Sequence, residues 1–181
     1  MIEDKQLIWR LKKGDQVALR RIYEKYKNDL LKLAVFLINN AETAEDIVQE
    51  VFVSFAQTAG TKGAIWNLKG YLTTSVINQV RNRIRDEKRH NTALQEDLET
   101  IATETNRPER WAMLNEQIKL LSRAMTQLPY EQREVITLYM QGGLTFRKIA
   151  KLQKTNVGTV QGRYRYGMDK LRRLLISEVE K

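Results

Sequence analysis

The chain has 181 residues, 42% hydrophobic and 29% charged, the balance of a folded soluble protein with length for one large or two small domains. With no cysteine and one histidine, His90, it offers nothing for disulfides, thiolate metal sites, cysteine nucleophiles or a histidine triad. The net charge of +9 is uneven: residues 1–90 carry 16 basic against 11 acidic side chains, residues 91–110 carry 2 against 5, and residues 111–181 carry 13 against 6. Two basic blocks thus flank an acidic connector, and basic blocks favour polyanionic partners.

Nearly every segment has the helical period, and only Pro108 and Pro129 interrupt the chain. Helices are predicted over 4–13, 16–38, 43–58 and 67–89, with Asp15 and Thr43 as N-caps and Asp46 as the acidic member of a capping box. "AGTKGAIWN" (59–67) reads as a glycine-punctuated loop, and the polar stretch 90–108 as a linker. Further helices are predicted over 109–127, 131–141, 145–153 and 157–176. The fold class is therefore all-α, with two small helical domains joined by a flexible linker. No apolar run reaches the roughly 20 residues of a membrane span, and "MIEDKQ" is no secretory signal, so a cytoplasmic protein without membrane insertion is expected.

In 157–176, Val157, Val160, Tyr164, Met168, Leu171 and Leu175 share one stripe, and Gly158, Gly162, Arg165, Asp169 and Arg173 lie opposite. Glycine inside a helix costs about 1 kcal/mol against alanine, so two on the outer face suggest a backbone that something approaches closely. Taken alone, the segment fits a solvated basic face equally well. Preceding it, "TFRKIAKLQKTN" has the layout of a helix-turn-helix, in which Ala150 lets the helices cross closely.

The long run "LPYEQREVITLYMQGGLTFRKIAKL…NVGTVQGRYRYGMDKLRRLL" resembles the fourth-region domain of bacterial sigma factors of the extracytoplasmic-function type. Lys154 and Thr155 depart from the family's usual Gly and apolar residue, and this half by itself also fits a response-regulator-like DNA-binding domain. The resemblance implies −35 contacts from Arg147, Lys148, Gly158, Thr159, Gln161, Gly162, Arg163, Arg165, Tyr166 and Arg173, with Arg172 near phosphates.

Earlier in the chain, "AEDIVQEVFVSFA" buries Ala44, Ile47, Val48, Val51 and Phe55 and turns Asp46, Gln49, Glu50 and Val53 outward. An exposed valine among polar groups suggests a partner surface, and a stray valine on an acidic helix is the plainer alternative. The segment resembles the sigma second-region helix that docks on the clamp helices of the RNA polymerase β′ subunit, which implies docking by Glu45, Asp46, Gln49, Glu50 and Val53. "IWNLKGYLTTSVINQVRNRIRDEKR" directs Leu72, Val76, Val80 and Ile84 inward, with Thr74, Asn78, Arg81, Asn82, Arg85 and Arg89 opposite. Amide and guanidinium groups in alternation suit base edges and phosphates.

This third segment is similar to the sigma −10 reading helix, although Tyr71 replaces the usual Trp and Thr73, Thr74 and Ser75 also depart from the family form. The resemblance implies −10 contacts from Lys62, Trp66, Asn67, Lys69, Tyr71, Thr74, Asn78, Arg81, Asn82 and Arg85. Trp66 either stacks on an unstacked base or anchors its loop.

The order of these signatures implies a minimal sigma factor: a region 2-like domain over 1–89, an acidic linker over 90–108 and a region 4-like domain over 109–181. Its implied partners are core RNA polymerase (β′ clamp helices and β flap), promoter DNA and an anti-sigma factor. No catalytic residue, metal or cofactor is assigned. The rivals are a helix-turn-helix regulator acting without polymerase and, less well supported, a nucleic-acid-processing enzyme.

Overall fold

A helix starts readily where a side chain can accept the backbone N–H groups that its first turn leaves unpaired. Asp15 does this for the second helix, accepting from Val17 N at 2.9 Å while holding Arg10 Nε at 2.7 Å. The computed structural model describes residues 2–58, 65, 67–93 and 116–179, and these form eight helices with no strand among them. They are α1 (Ile2–Lys12), α2 (Gln16–Ile38), α3 (Ala41–Thr58), α4 (Leu68–Ala93), α5 (Glu116–Thr126), α6 (Tyr130–Met140), α7 (Phe146–Gln153) and α8 (Val157–Val179). No helix among the described residues is long and apolar enough to cross a membrane.

Several boundaries differ from expectation. The cap of α3 is Asn40, whose Oδ1 accepts from Thr43 N at 3.0 Å, so the helix begins two residues before Thr43. Asn40 can act there because Asn39 ends α2 in the left-handed conformation (φ 54°), which breaks the chain direction within two residues. α4 runs to Ala93 and takes the first residues assigned to the linker, while 94–115, including the predicted start of the 109–127 helix, lie outside the described residues.

In the first half, Ile22, Leu30, Leu33 and Leu37 of α2 bury against Ala44, Ile47, Val51 and Phe55 of α3 and Leu72, Val76 and Val80 of α4. α1 is laid across α2 by Leu7 and Ile8 and pinned by Lys25, which bonds Glu3 at 2.5 Å and Asp4 at 2.8 Å. In the second half, α7 and α8 cross at Ile149, Ala150 and Val160, each buried.

The two halves are packed against each other. Phe36 of α2 enters a cluster with Ala124, Met125, Leu128, Ile136 and Leu171. Val135, Leu138, Leu144 and Ile149 join the core of the first half. At one end of this seam Ser122 Oγ donates to Asn39 Oδ1 at 2.7 Å.

The turn between α7 and α8 closes through Lys154, which takes the left-handed conformation at φ 52° where the related motif often has glycine. Its tightness survives, since Thr155 N still reaches Ala150 O at 3.0 Å. A left-handed non-glycine residue costs ~1–2 kcal/mol, of which glycine's greater freedom in the unfolded chain takes back ~0.4–1 kcal/mol. Lys154→Gly is therefore expected to stabilise the protein by about 0.5–1 kcal/mol in urea denaturation.

Candidate nucleic-acid interface

α3 presents Asp46, Gln49 and Val53 to solvent on one face, with Val53 57% exposed because the opposite stripe already fills the core. Glu45 is half-buried at the edge of this face. Glu50 is drawn toward α4, where Arg83 Nη2 approaches at 3.6 Å and Gln79 Nε2 at 3.4 Å. The open part of the expected docking surface is thus narrower than the sequence pattern implied.

Along α4 the expected reading residues separate by role. Asn67 caps the helix: its Oδ1 accepts from Gly70 N at 2.9 Å and its carbonyl from Tyr71 N at 3.0 Å. Tyr71 is half-buried against Phe55, with ring centroids 5.9 Å apart. Thr74 Oγ1 donates back to Gly70 O at 2.8 Å, and exposed Lys69 lies 3.6 Å from Asp29. Asn78, Asn82, Arg85 and Arg89 form the exposed row, and Arg85 Nη2 holds Asn82 Oδ1 at 3.0 Å. Lys62 and Trp66 lie outside the described residues.

Arg81 stands apart from that row. Its Nε and Nη2 donate to the two Glu134 oxygens at 2.8 and 3.0 Å, and Nη1 donates to Leu152 O at 2.8 Å. The Arg81 side chain is 30% exposed and that of Glu134 only 2%. The hydrogen bonds to Glu134 hold the Arg81 guanidinium above its usual range although burial opposes them. Glu134 also receives Gln153 Nε2 at 2.8 Å and Tyr130 OH at 3.2 Å, and burial with the Glu134 charge pushes the Tyr130 phenol up. Burial pushes neighbouring Arg133 down, and its Nε is buried without a hydrogen-bond partner.

The outer face of α8 is open. Asn156 caps the helix, accepting from Thr159 N at 2.7 Å, which leaves the first-turn backbone beside Gly158 exposed. A methyl group added at Gly162 would meet nothing within 4 Å, so the missing side chain answers no need of the fold itself. Gln161, Arg165 and Tyr166 project from this face, and Arg165 Nη2 lies 3.4 Å from Tyr166 OH with its guanidinium 5.0 Å from that ring's centroid. Thr159 is half-buried, and Arg163 turns inward to Gln153 Oε1 at 2.7 Å. Arg147 and Lys148 are exposed at the start of α7, and Arg172 and Arg173 late in α8.

Two features escaped the sequence reading. Tyr139 stacks on Phe146 at 4.5 Å, and with Tyr164 they border an open groove of about 490 Å³ beside Gly158, Gly162 and Arg165. The other is the Glu134 network, whose available signal was a glutamate sharing a helix face with Leu138 at four-residue spacing.

Two family models match the chain: Sigma-70 region 2 over residues 22–90 and Sigma-70, region 4 over residues 118–171. The RNA polymerase sigma-H factor of Pseudomonas aeruginosa is 29% identical, with 97% of each chain covered. The ECF RNA polymerase sigma factor SigW of Bacillus subtilis is 28% identical, covering 94% of this chain and 96% of that one. Among solved structures, CnrH in complex with the cytosolic domain of CnrY aligns with TM-score 0.63 and 20% identity over 97% of this chain and 98% of that one. The Bartonella quintana sigma factor RpoE, in complex with the anti-sigma factor NepR, aligns with TM-score 0.62 and 21% identity over 86% and 97%. At these identities the two structures bear on the fold alone.

The capping role of Asn67 can be tested separately from any contact with nucleic acid. Asn67→Ala is expected to cost ~0.5–2 kcal/mol in urea denaturation, and Asn67→Asp, which keeps the acceptor, to recover most of it.

Proposed function

The chain belongs to the sigma-70 family, in its extracytoplasmic-function group, and is a sigma factor that binds core RNA polymerase and directs it to promoter DNA; on that footing we propose which surface does which work. The α3 face of Asp46, Gln49 and Val53, edged by Glu45 and Glu50, docks on the β′ clamp helices. The exposed α4 row of Asn78, Asn82 and Arg85, with Lys62, Trp66 and Lys69 at its loop end and Arg81 beside it, serves the −10 element, and Asn67, Tyr71 and Thr74 support it by holding the start of the helix. The outer face of α8, from Gly158 through Gln161, Gly162, Arg165 and Tyr166 to Arg173, enters the −35 major groove. Arg147 and Lys148 meet the flanking backbone, and Thr159 and Arg163 support the reading face.

The division of the chain is a first part through the end of α4 at Ala93, a connector beyond it to about residue 108, and a last part over 109–181 that also meets the β flap. The work is binding in the cytoplasm rather than catalysis: base contacts place the polymerase, and captured single-stranded bases favour the open promoter. Control by an anti-sigma factor is part of the reading, supported by neighbours of the same fold that were solved with cytosolic or anti-sigma partners.

The observation that carries this assignment is the coexistence of Val53, exposed between polar neighbours on α3, with two separate basic, amide-bearing helix faces on α4 and α8. A regulator acting without polymerase would need only the last of these. Co-purification with core polymerase discriminates, and Asp46→Ala combined with Gln49→Ala should weaken that binding at least tenfold. The melting temperature should stay nearly unchanged, because both side chains are exposed. Equal core binding by mutant and wild type would remove α3 from the docking surface.

On α8, Arg165→Ala should lower affinity for a −35 duplex by the ~1–3 kcal/mol of a bidentate contact to guanine and relax preference at one or two base pairs. Gly162→Val should weaken binding more, because it puts a branched side chain between backbone and groove floor while the free helix has room for it. Fluorescence anisotropy at fixed salt reads both effects. Wild-type binding by folded Gly162→Val would exclude this face from DNA.

A further inference from the structure

Arg81 lies beside the exposed row of α4, yet it is tied directly to the other half of the molecule. Its guanidinium spans sequence separations of 53 residues to Glu134 and 71 to Leu152. The contact is built rather than incidental. Glu134 is buried, it receives both ends of the guanidinium fork, and its remaining acceptor capacity is filled by Gln153 and Tyr130. Gln153 in turn holds Arg163 of α8 through its Oε1. One cation from each reading helix therefore converges on a single carboxylate and its amide neighbour.

Around this point α4 buries a second row that its main apolar stripe did not announce: Thr73 at 1% exposure and Ile77 at 0%, about two turns and one turn before Arg81 respectively. Phe36 of α2 and the Ser122–Asn39 bond extend the same seam. An interface with a buried apolar strip and a part-buried ion pair, whose carboxylate is buried and fully hydrogen-bonded, has the anatomy of a specific docking surface.

We propose that the α2–α4 face made by Phe36, Thr73, Ile77 and Arg81 is a docking surface for this chain's own C-terminal half, and that Glu134 acts there as an internal stand-in for a nucleic-acid anion. In the closed chain Glu134 occupies the guanidinium of Arg81 and, through Gln153, draws Arg163 inward. The fork that grips a carboxylate in two parallel bonds is the same fork that grips a phosphate or a guanine edge, so it serves one at a time. Closed packing and full engagement of DNA by Arg81 are mutually exclusive. Separation of the halves frees Arg81 and leaves Glu134 with Gln153 and Tyr130, one hydrogen-bonded step from Arg163, which then supplies its counter-charge. The DNA part of this inference rests on the assignment of α4 as a reading helix; the docking part does not.

Because the chain has no cysteine, a spin-label pair can be placed at exposed Gln57 and Arg123, one in each half, by substitution to cysteine in the full-length protein. Electron–electron distance measurements should give one narrow distribution for the otherwise unaltered chain, and a broader, longer one for both Arg81→Gln and Glu134→Gln, with helicity preserved. A narrow distribution in either variant, or a broad one in the unaltered chain, overturns the docking surface. In anisotropy titrations with a fluorescein-labelled fork-junction duplex of mixed sequence at fixed salt, the two halves of the pair should act with opposite sign. Glu134→Gln should bind roughly threefold or more tightly, because apparent affinity scales with the competent fraction, and Arg81→Gln should bind more weakly. Equal weakening by both substitutions would reduce Glu134 to a structural residue. The distance arm needs neither DNA nor polymerase, so it stands or falls separately from the sigma assignment, which core-polymerase binding tests.

Discussion

The last turns of α2 are the constraint on which the rest of the architecture depends. Leu33, Ala34, Val35, Phe36 and Leu37 are consecutive and none is more than 3% exposed. Five residues in a row point in every direction around a helix, so neighbours on one side alone cannot bury them. α1, α3 and α4 pack against α2 in the first half, and α5 and α6 pack against it from the second. Without the second set Phe36 would lose the cluster it shares with Leu128, Ile136 and Leu171. The burial of this segment sets the relation between the halves, and that relation determines which faces of α4 and α8 remain open to a partner.

The helices and most inward stripes were legible because each is a local pattern, with residues three and four apart falling on one face. α3 follows its stripe, and α8 follows its own except at Val157, which the first turn leaves exposed; Ile149, Ala150 and Val160 meet at the helix crossing as the motif required. Boundaries were less legible. Thr43 looked like a cap, but Asn40 competes for the same N–H groups and has the advantage of standing directly after the chain reversal at Asn39. The row of Thr73, Ile77 and Arg81 was hidden for a different reason. Arg81 meets Glu134 and Leu152, and Thr73 lies beside Gly142, all more than fifty positions away, and no local period encodes such a partner. The run "LAVFL", lacking a polar face, was the one local trace of the second packing surface.

The candidate interface shows how a pattern of suitable residue types is thinned by the fold's own needs. Asn67, Thr74 and Tyr71 fit a reading surface by type, yet capping, back-bonding to Gly70 and packing on Phe55 already engage them. Asn78, Asn82 and Arg85 keep their exposure because the helix side beneath them is filled by Val76 and Val80. On α8 the reverse holds at Gly162, where the fold leaves open space and asks for nothing. A residue that structure does not require is stronger evidence for an external partner than one that structure also uses.

Asn39 combines two demands that rarely meet in one side chain. Its backbone sits at positive φ, where few residues other than asparagine and glycine are comfortable, and its amide oxygen accepts the hydroxyl of Ser122 across the seam. Glycine would satisfy the first demand and forfeit the second; serine or threonine could serve the second but would strain the first. Aspartate is the one other residue that would meet both, so position 39 accepts very little, whereas position 122 needs only a donor. The seam has one fixed post and one adjustable one, and the fixed post is also the point where α2 must stop.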